Sequence, residues 1–170
     1  IENEHSDFTH SEISRLILAA RARDIDSLVR VGRTGYAEII KHLEAGATGI
    51  IVPHCMGAED AHSIARDAKF HPIGMRGIGG GVDTQYGTMD RQKYYRQANS
   101  ETLVAVIIED REAVDEIDAI AATDGIDILI IGPDDLCQTY GYNRREQSII
   151  DEVTGAISEA CAKHGKWWGG

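Results

Sequence analysis

Two carboxylates, Glu109 and Asp135, stand just past the ends of two apolar runs. Leu103–Ile108 (LVAVII) ends in Glu109, and Ile126–Ile131 (IDILII) is followed by Gly132, Pro133, Asp134 and Asp135. If the two runs are neighbouring parallel strands, about 4.8 Å apart, both acids lie at the same end and could share one divalent cation. The competing reading makes Glu109 a helix N-terminal acid and Asp135 a solvated loop acid. A third charge, Arg30, sits in the short apolar run Ser27–Val31 (SLVRV). An arginine there must place its guanidinium at a mouth or against an acid. It is either a surface arginine on an edge strand or a carboxylate clamp, since the planar fork binds carboxylate through two parallel hydrogen bonds. The opening IENEHSDFTH gathers Glu2, Glu4, His5 and Asp7, which by composition reads as a frayed, solvated segment.

The elements that would position these groups alternate. Between the two acid-tipped runs, Ala113, Val114, Ile117, Ile120 and Ala121 recur at helical spacing and Gly125 follows as a stop. Strand, helix and strand in that order make the two strands parallel and close together. Upstream, Ser11–Arg23 predicts a helix with Ile13, Leu16, Ile17 and Ala20 on one face. Ser27–Val31 predicts a strand, and Thr34 caps a helix running through Glu44, with Gly46 as terminator. Gly49–Pro53 is the next strand and Gly57–Lys69 the next helix. His71–Val82 (HPIGMRGIGGGV) then holds five glycines. It lacks the lysine and the strand–helix setting of a phosphate loop, which argues against a nucleotide site. The expectation is a mobile loop that brings backbone N–H groups and Arg76 near a ligand. Asp83–Asn99, with Tyr86, Tyr94 and Tyr95, could cover a site or meet another subunit. Cys137–Arg145 reads as a polar loop, Ser148–His164 as an amphipathic helix, and KWWGG as the start of a strand. Repeated strand–helix units predict a parallel α/β protein, either a doubly wound sheet or a (β/α)8 barrel.

Composition narrows the function classes. The 170 residues are enough for one domain over residues 1–170, with 42% apolar and 26% charged residues as in ordinary globular proteins. A net charge of −11 argues against nucleic acid or an anionic membrane as the main partner. Three scattered cysteines, Cys55, Cys137 and Cys161, give neither a disulfide framework nor a zinc motif, so reduced thiols of a cytoplasmic protein are expected.

The segments Arg30, EAGATGIIVP (Glu44–Pro53), MRGIGGG (Met75–Gly81), VIIEDREAV (Val106–Val114) and IDILIIGPDDL (Ile126–Leu136) together resemble the HpcH/HpaI family of metal-dependent class II pyruvate aldolases. The likeness covers essentially the whole chain. It implies a (β/α)8 barrel with its site at the C-terminal mouth. It also implies that strand 1, most of strand 2 and strand 8 fall outside this chain, leaving an incomplete barrel with unpaired strand edges. Glu109 and Asp135 would hold Mg²⁺ or Mn²⁺, with Co²⁺ as a third option. NEHS matches the family's GEH segment, which makes His5 the catalytic base. The segment His42–Gly46 supplies its acidic partner, Glu44. Arg30, Gly80, Asp134 and Asp135 would contact a 2-oxo acid substrate. Relatives in the family are hexamers, so a homo-oligomer is expected.

Four positions depart from the family pattern: Glu2 and Glu44 stand where it has aspartate, Gly80 where it has serine, and Asp134 where it has alanine. The implied reaction is reversible cleavage of a 4-hydroxy-2-oxo acid to pyruvate and an aldehyde through a metal-bound enolate. The alternatives are an oxaloacetate-type decarboxylase or other pyruvate-enolate enzyme on the same scaffold, and a non-catalytic metal-binding member.

Overall fold

The computed structural model describes residues 1–33 and 35–170. Runs rich in Val and Ile form most of its strands, because branched side chains fit a pleated surface buried on both sides. These are β1 (Leu28–Arg30), β2 (Gly49–Val52), β3 (Leu103–Ile108) and β4 (Ile128–Ile131), with β5 (Trp167–Gly169) built from the tryptophan pair. They make one sheet in chain order, β1 to β5, and every neighbouring pair is parallel. Parallel neighbours require right-handed crossovers, so a sequential order stacks the helices on one face.

Register separates the two faces. Val29, Ile50 and Val104 lie side by side, as do Val52, Val106 and Leu129. These residues join Ile13, Ile17, Leu43, Ile120, Val153 and Ile157 in the main core. The opposite face carries Arg30, Ile51, Ala105, Ile128 and Trp167 in one row and Ile107 and Ile130 in the next. It is apolar but only half covered: Ile51, Ile128 and Ile130 keep some exposure and Trp167 is 75% exposed.

Residues 1–3 are not frayed, contrary to their composition. Arg30 N–H donates to Ile1 O at 2.8 Å and Asn3 N–H to Arg30 O at 2.9 Å, a parallel bridge on the outer side of β1. Arg30 is therefore flanked by backbone on both sides and is not an edge residue.

The helices are α1 (His10–Arg21), α2 (Tyr36–Glu44), α3 (Ala58–Ala68), α4 (Arg91–Glu101), α5 (Arg111–Val114), α6 (Ile117–Ala122), α7 (Pro133–Thr139) and α8 (Gln147–His164). Thr9 and Glu12 form a capping box that starts α1. Leu16, expected on its inner face, is 43% exposed. The Thr34 cap expected for α2 lies outside the described residues, and Gly35 occupies the cap position.

The single helix predicted between β3 and β4 is two short ones, broken at Asp115–Glu116. The Glu116 carboxylate accepts from Ala58 N–H at 2.7 Å, closing the open N-terminus of α3. The tertiary contact outweighs the local helical pattern. The predicted polar loop after β4 begins inside α7, whose first position is Pro133, where a missing N–H costs nothing. The three cysteines are free and buried. Among the described residues, no helix is long and apolar enough to cross a membrane.

Candidate active site at the C-terminal ends of the strands

The first four strands and residues 2–5 direct charged groups to one end of the sheet. Arg30 leaves the last position of β1. Its Nε donates to Glu2 Oε2 at 2.6 Å, and its Nη1 lies 3.2 Å from Glu4 Oε2. It is not a surface arginine on an edge strand: its guanidinium bridges two different carboxylates of the chain itself, one through Nε and one through Nη1. Glu2 Oε1 in turn accepts Glu4 N–H at 2.6 Å and His5 N–H at 3.0 Å, which turns the chain sharply after the bridge. Burial opposes the charge on Glu2, but the His5 N–H and the Arg30 contact hold its carboxyl below the usual range. His5 projects outward, with its side chain 66% exposed and its Nε2 3.6 Å from Glu4 Oε2.

Glu109 follows β3 and is only 3% exposed. Its Oε1 accepts His54 N–H at 2.8 Å, the one donor to this carboxylate among the described residues. Burial raises its pKa, and the negative charges of Asp135 and Glu4 add to the rise against the counter-pull of His54. The site thus contains a buried acid with one hydrogen-bond donor, set between the acids Asp135 and Glu4 and the His54 ring, whose Nδ1 lies 3.7 Å from Oε1. Gly132, after β4, makes room for it: a Cβ there would sit 2.3 Å from Glu109 Oε2.

His54 is a site residue that sequence reasoning missed. It follows β2, with its Nδ1 3.0 Å from Asp110 Oδ2 and its Nε2 3.8 Å from Glu4 Oε1. Burial disfavours its charged form, but the Asp110 hydrogen bond and the charges of Glu109, Asp110 and Glu4 outweigh that and raise its pKa. A signal was present: the histidine follows GIIVP, the same place after a strand that singled out Glu109.

The remaining expectations divide. Asp135 is exposed at the start of α7, close enough to Glu109 to raise its pKa. Its neighbour Asp134 turns away, its carboxylate held by Arg145 through two hydrogen bonds of 2.7 Å. Glu44 does not reach His5 within the chain. It ends α2 just before the start of β2, at the opposite end of the sheet, where its carboxylate packs against Gly79 and its carbonyl against Gly81. Gly80 lies in that same loop, away from Glu109. Arg76 is a further correction. It is buried, paired with Asp83 at 2.7 Å and stacked 4.9 Å over the Phe70 ring, so it braces the fold and does not face a ligand. Its planar guanidinium can use both contacts at once.

Among the described residues, no three His, Cys, Asp or Glu side chains converge into a ready metal cage. Two carboxylates remain: Glu109, buried with a single hydrogen-bond donor, and the exposed Asp135. Oxygen ligands of this kind suit Mg²⁺ or Mn²⁺, ions that keep waters and substrate oxygens in their other positions.

The chain is 32% identical over 164 residues to a hydroxypyruvate/pyruvate aldolase of Sagittula stellata, covering 96% of this chain and 63% of that protein. It is 36% identical over 164 residues to a 4-hydroxy-2-oxovalerate aldolase of Novosphingobium aromaticivorans, covering 96% and 61%. The chain therefore spans less than two thirds of either relative. An HpcH/HpaI aldolase from Desulfitobacterium hafniense DCB-2 superposes with a TM-score of 0.90 at 30% identity, over 98% of this chain and 65% of that one. The citrate synthase SbnG superposes with a TM-score of 0.87 at 32% identity, over 99% and 65%. Residues 2–167 match the family description itself, and the chain belongs to the HpcH/HpaI aldolase/citrate lyase family.

Proposed function

We propose that this chain carries the site of a divalent-metal-dependent, class II aldolase that reversibly cleaves a 4-hydroxy-2-oxo acid to pyruvate and an aldehyde. The observation that carries the reading is the buried, underpaired Glu109 beside Asp135 at the ends of adjacent strands, with Arg30 at the same end. A Mg²⁺, Mn²⁺ or Co²⁺ ion held by these two carboxylates would supply Lewis acidity toward the keto and carboxylate oxygens of the substrate. Arg30 supports negative charge developing on the keto oxygen, its own position fixed by Glu2 and Glu4. The backbone N–H groups of Asp134 and Asp135 serve the substrate carboxylate. His5, exposed at the mouth, moves the proton of the 4-hydroxyl.

The sequential parallel sheet with a half-covered apolar face is read as an arc of a (β/α)8 barrel, that face being its interior. Assembly into a homo-oligomer belongs to the same reading. Glu44, placed at the far end of the sheet in its own chain, would meet a His5 only across such a contact.

The test is exchange of pyruvate methyl protons with D₂O, followed by NMR with Mn²⁺ or Mg²⁺ and then with EDTA. Metal-dependent exchange is expected, and its absence in folded, metal-loaded protein sinks the reading. His5→Ala should lower aldol cleavage about a hundredfold while Mn²⁺ binding stays intact. Unchanged turnover would remove His5 from the mechanism. A second reading, a different enolate reaction on the same scaffold, is favoured by the likeness to SbnG, a protein named as a citrate synthase. Product analysis separates the two, since only cleavage releases an aldehyde.

A further inference from the structure

We propose that His54 is a positioning residue for Glu109: its left-handed backbone aims its N–H at Glu109 Oε1, so that Oε2 is the oxygen left free to bind a cation. The inference rests on the metal-site reading and adds a residue that the composition of the site does not reveal.

Four observations converge. First, His54 has φ +52°, a left-handed conformation that L residues adopt rarely. The other non-glycine residues with positive φ, Asp24, Gln85 and Tyr86, lie in turns. His54 alone of these lies at the end of a strand, beside the buried acid. Second, the flanking chain pins this geometry. His54 N–H leaves the ladder and donates to Glu109 at 2.8 Å, and the next residue, Cys55, returns its N–H to Ile107 O at 3.2 Å.

Third, the ring is clamped by a group diverted from its ordinary task. Asp110 occupies the N-cap position of α5 yet makes no side-chain cap hydrogen bond. An N-cap aspartate normally satisfies one of the helix's open N–H groups. Here its Oδ2 lies 3.0 Å from His54 Nδ1 instead. Fourth, Glu109 Oε2 has no donor among the described residues and packs against Gly132, where a Cβ would sit 2.3 Å from it. One oxygen accepts a hydrogen bond and the other accepts none, which leaves the second with its lone pairs for a cation. Groups that orient a ligand in this way typically change metal affinity by about 10–100-fold when removed.

The experiment measures Mn²⁺ affinity of the full chain by titration, with EPR of the free ion as the readout. His54→Val forces a branched residue into the left-handed region and should weaken Mn²⁺ binding about tenfold or more. His54→Asn tolerates that backbone and can still reach Asp110, so it should stay within about threefold of wild type. Wild-type affinity in folded His54→Val overturns the proposal. So does His54→Asn binding as weakly as His54→Val, because the imidazole itself would then be the ligand.

A metal-independent arm uses the His54 amide proton. Its hydrogen bond to a carboxylate should place it downfield, and Glu109→Gln should move it upfield. An amide that does not respond to Glu109→Gln overturns the proposal even if every variant folds. Should wild type bind no Mn²⁺, the metal reading fails by itself, and the amide response alone decides whether His54 positions Glu109.

Discussion

The two ends of the same strands treat buried charge in opposite ways. At the start of β3 and β4, Lys69 is 2% exposed and donates to Thr102 O, to Asn99 O at 3.2 Å and to Asp127 Oδ2 at 3.2 Å. Asp127 also accepts Val104 N–H at 2.8 Å. Every charge there has a partner of opposite sign or a carbonyl, and the cluster ties α3 to the sheet. At the far end of β3, Glu109 is buried almost as deeply but accepts one hydrogen bond, its Oε1 3.7 Å from the His54 ring and its other charged neighbours Asp135 and Glu4 acidic. A fully paired buried charge holds structure together. An underpaired one is costly unless something binds it, and such groups gather at functional sites.

The sharpest way to break the contrast is to remove the acid itself. Glu109→Ala should reduce metal-dependent methyl-proton exchange to the level seen with EDTA, with the melting temperature unchanged or raised. The rise follows if an underpaired buried carboxylate is a net cost to folding. A variant that loses stability and keeps exchange would reverse the assignment. Gly132→Ala tests the same carboxylate by displacement, since the new Cβ would meet Glu109 Oε2 at 2.3 Å and its Cβ at 2.7 Å. Exchange should fall about a hundredfold, as for other small misplacements of a reacting group. Equal rates for Gly132→Ala and wild type would show that Glu109 need not sit where it does.

At the other end the expectation inverts. Lys69→Met leaves Asp127 and two carbonyls without their cation and should cost about 3 kcal/mol of stability, read from urea unfolding. Exchange per folded molecule should not change. If Lys69→Met also abolishes exchange in folded protein, the two ends are coupled and the division drawn here fails.

How much of this was legible in the sequence follows from the range of the forces involved. The strands were legible because their Val and Ile runs encode burial directly. Glu109 and Asp135 stood out because they follow such runs, and Arg30 because it is a lone charge inside one. The ordering of residues 1–3 was hidden, because their ladder runs to Arg30, a contact between segments far apart in sequence. The place of His54 after β2 was a readable signal, but its partners were hidden for the same reason, since Asp110 and Glu109 lie more than fifty residues away. The break between α5 and α6 was hidden because Glu116 is drawn to the N-terminus of α3. Glu44 shows the limit of motif matching. Its segment fits the family pattern, yet within one chain the fold carries it to the end of the sheet away from His5.

Asp134 sharpens the comparison with the smallest effect. By sequence it is an extra acid beside the ion site. In the structure its carboxylate is neutralised by Arg145, and the pair lies in water, with side-chain exposures of 72% and 61%. The Arg145 hydrogen bonds hold the Asp134 carboxyl below its usual range, against only slight burial. An ion pair in water contributes little to stability, so Asp134→Ala should leave the urea midpoint nearly unchanged. Its effect on Mn²⁺ affinity should be equally slight, because the charge removed is already balanced. A marked gain in affinity would mean that Asp134 does press on the ion and that Arg145 leaves it in solution. A marked loss would mean that Asp134 turns inward as a third ligand. Either result would move the boundary between structural and functional charge by one residue along α7.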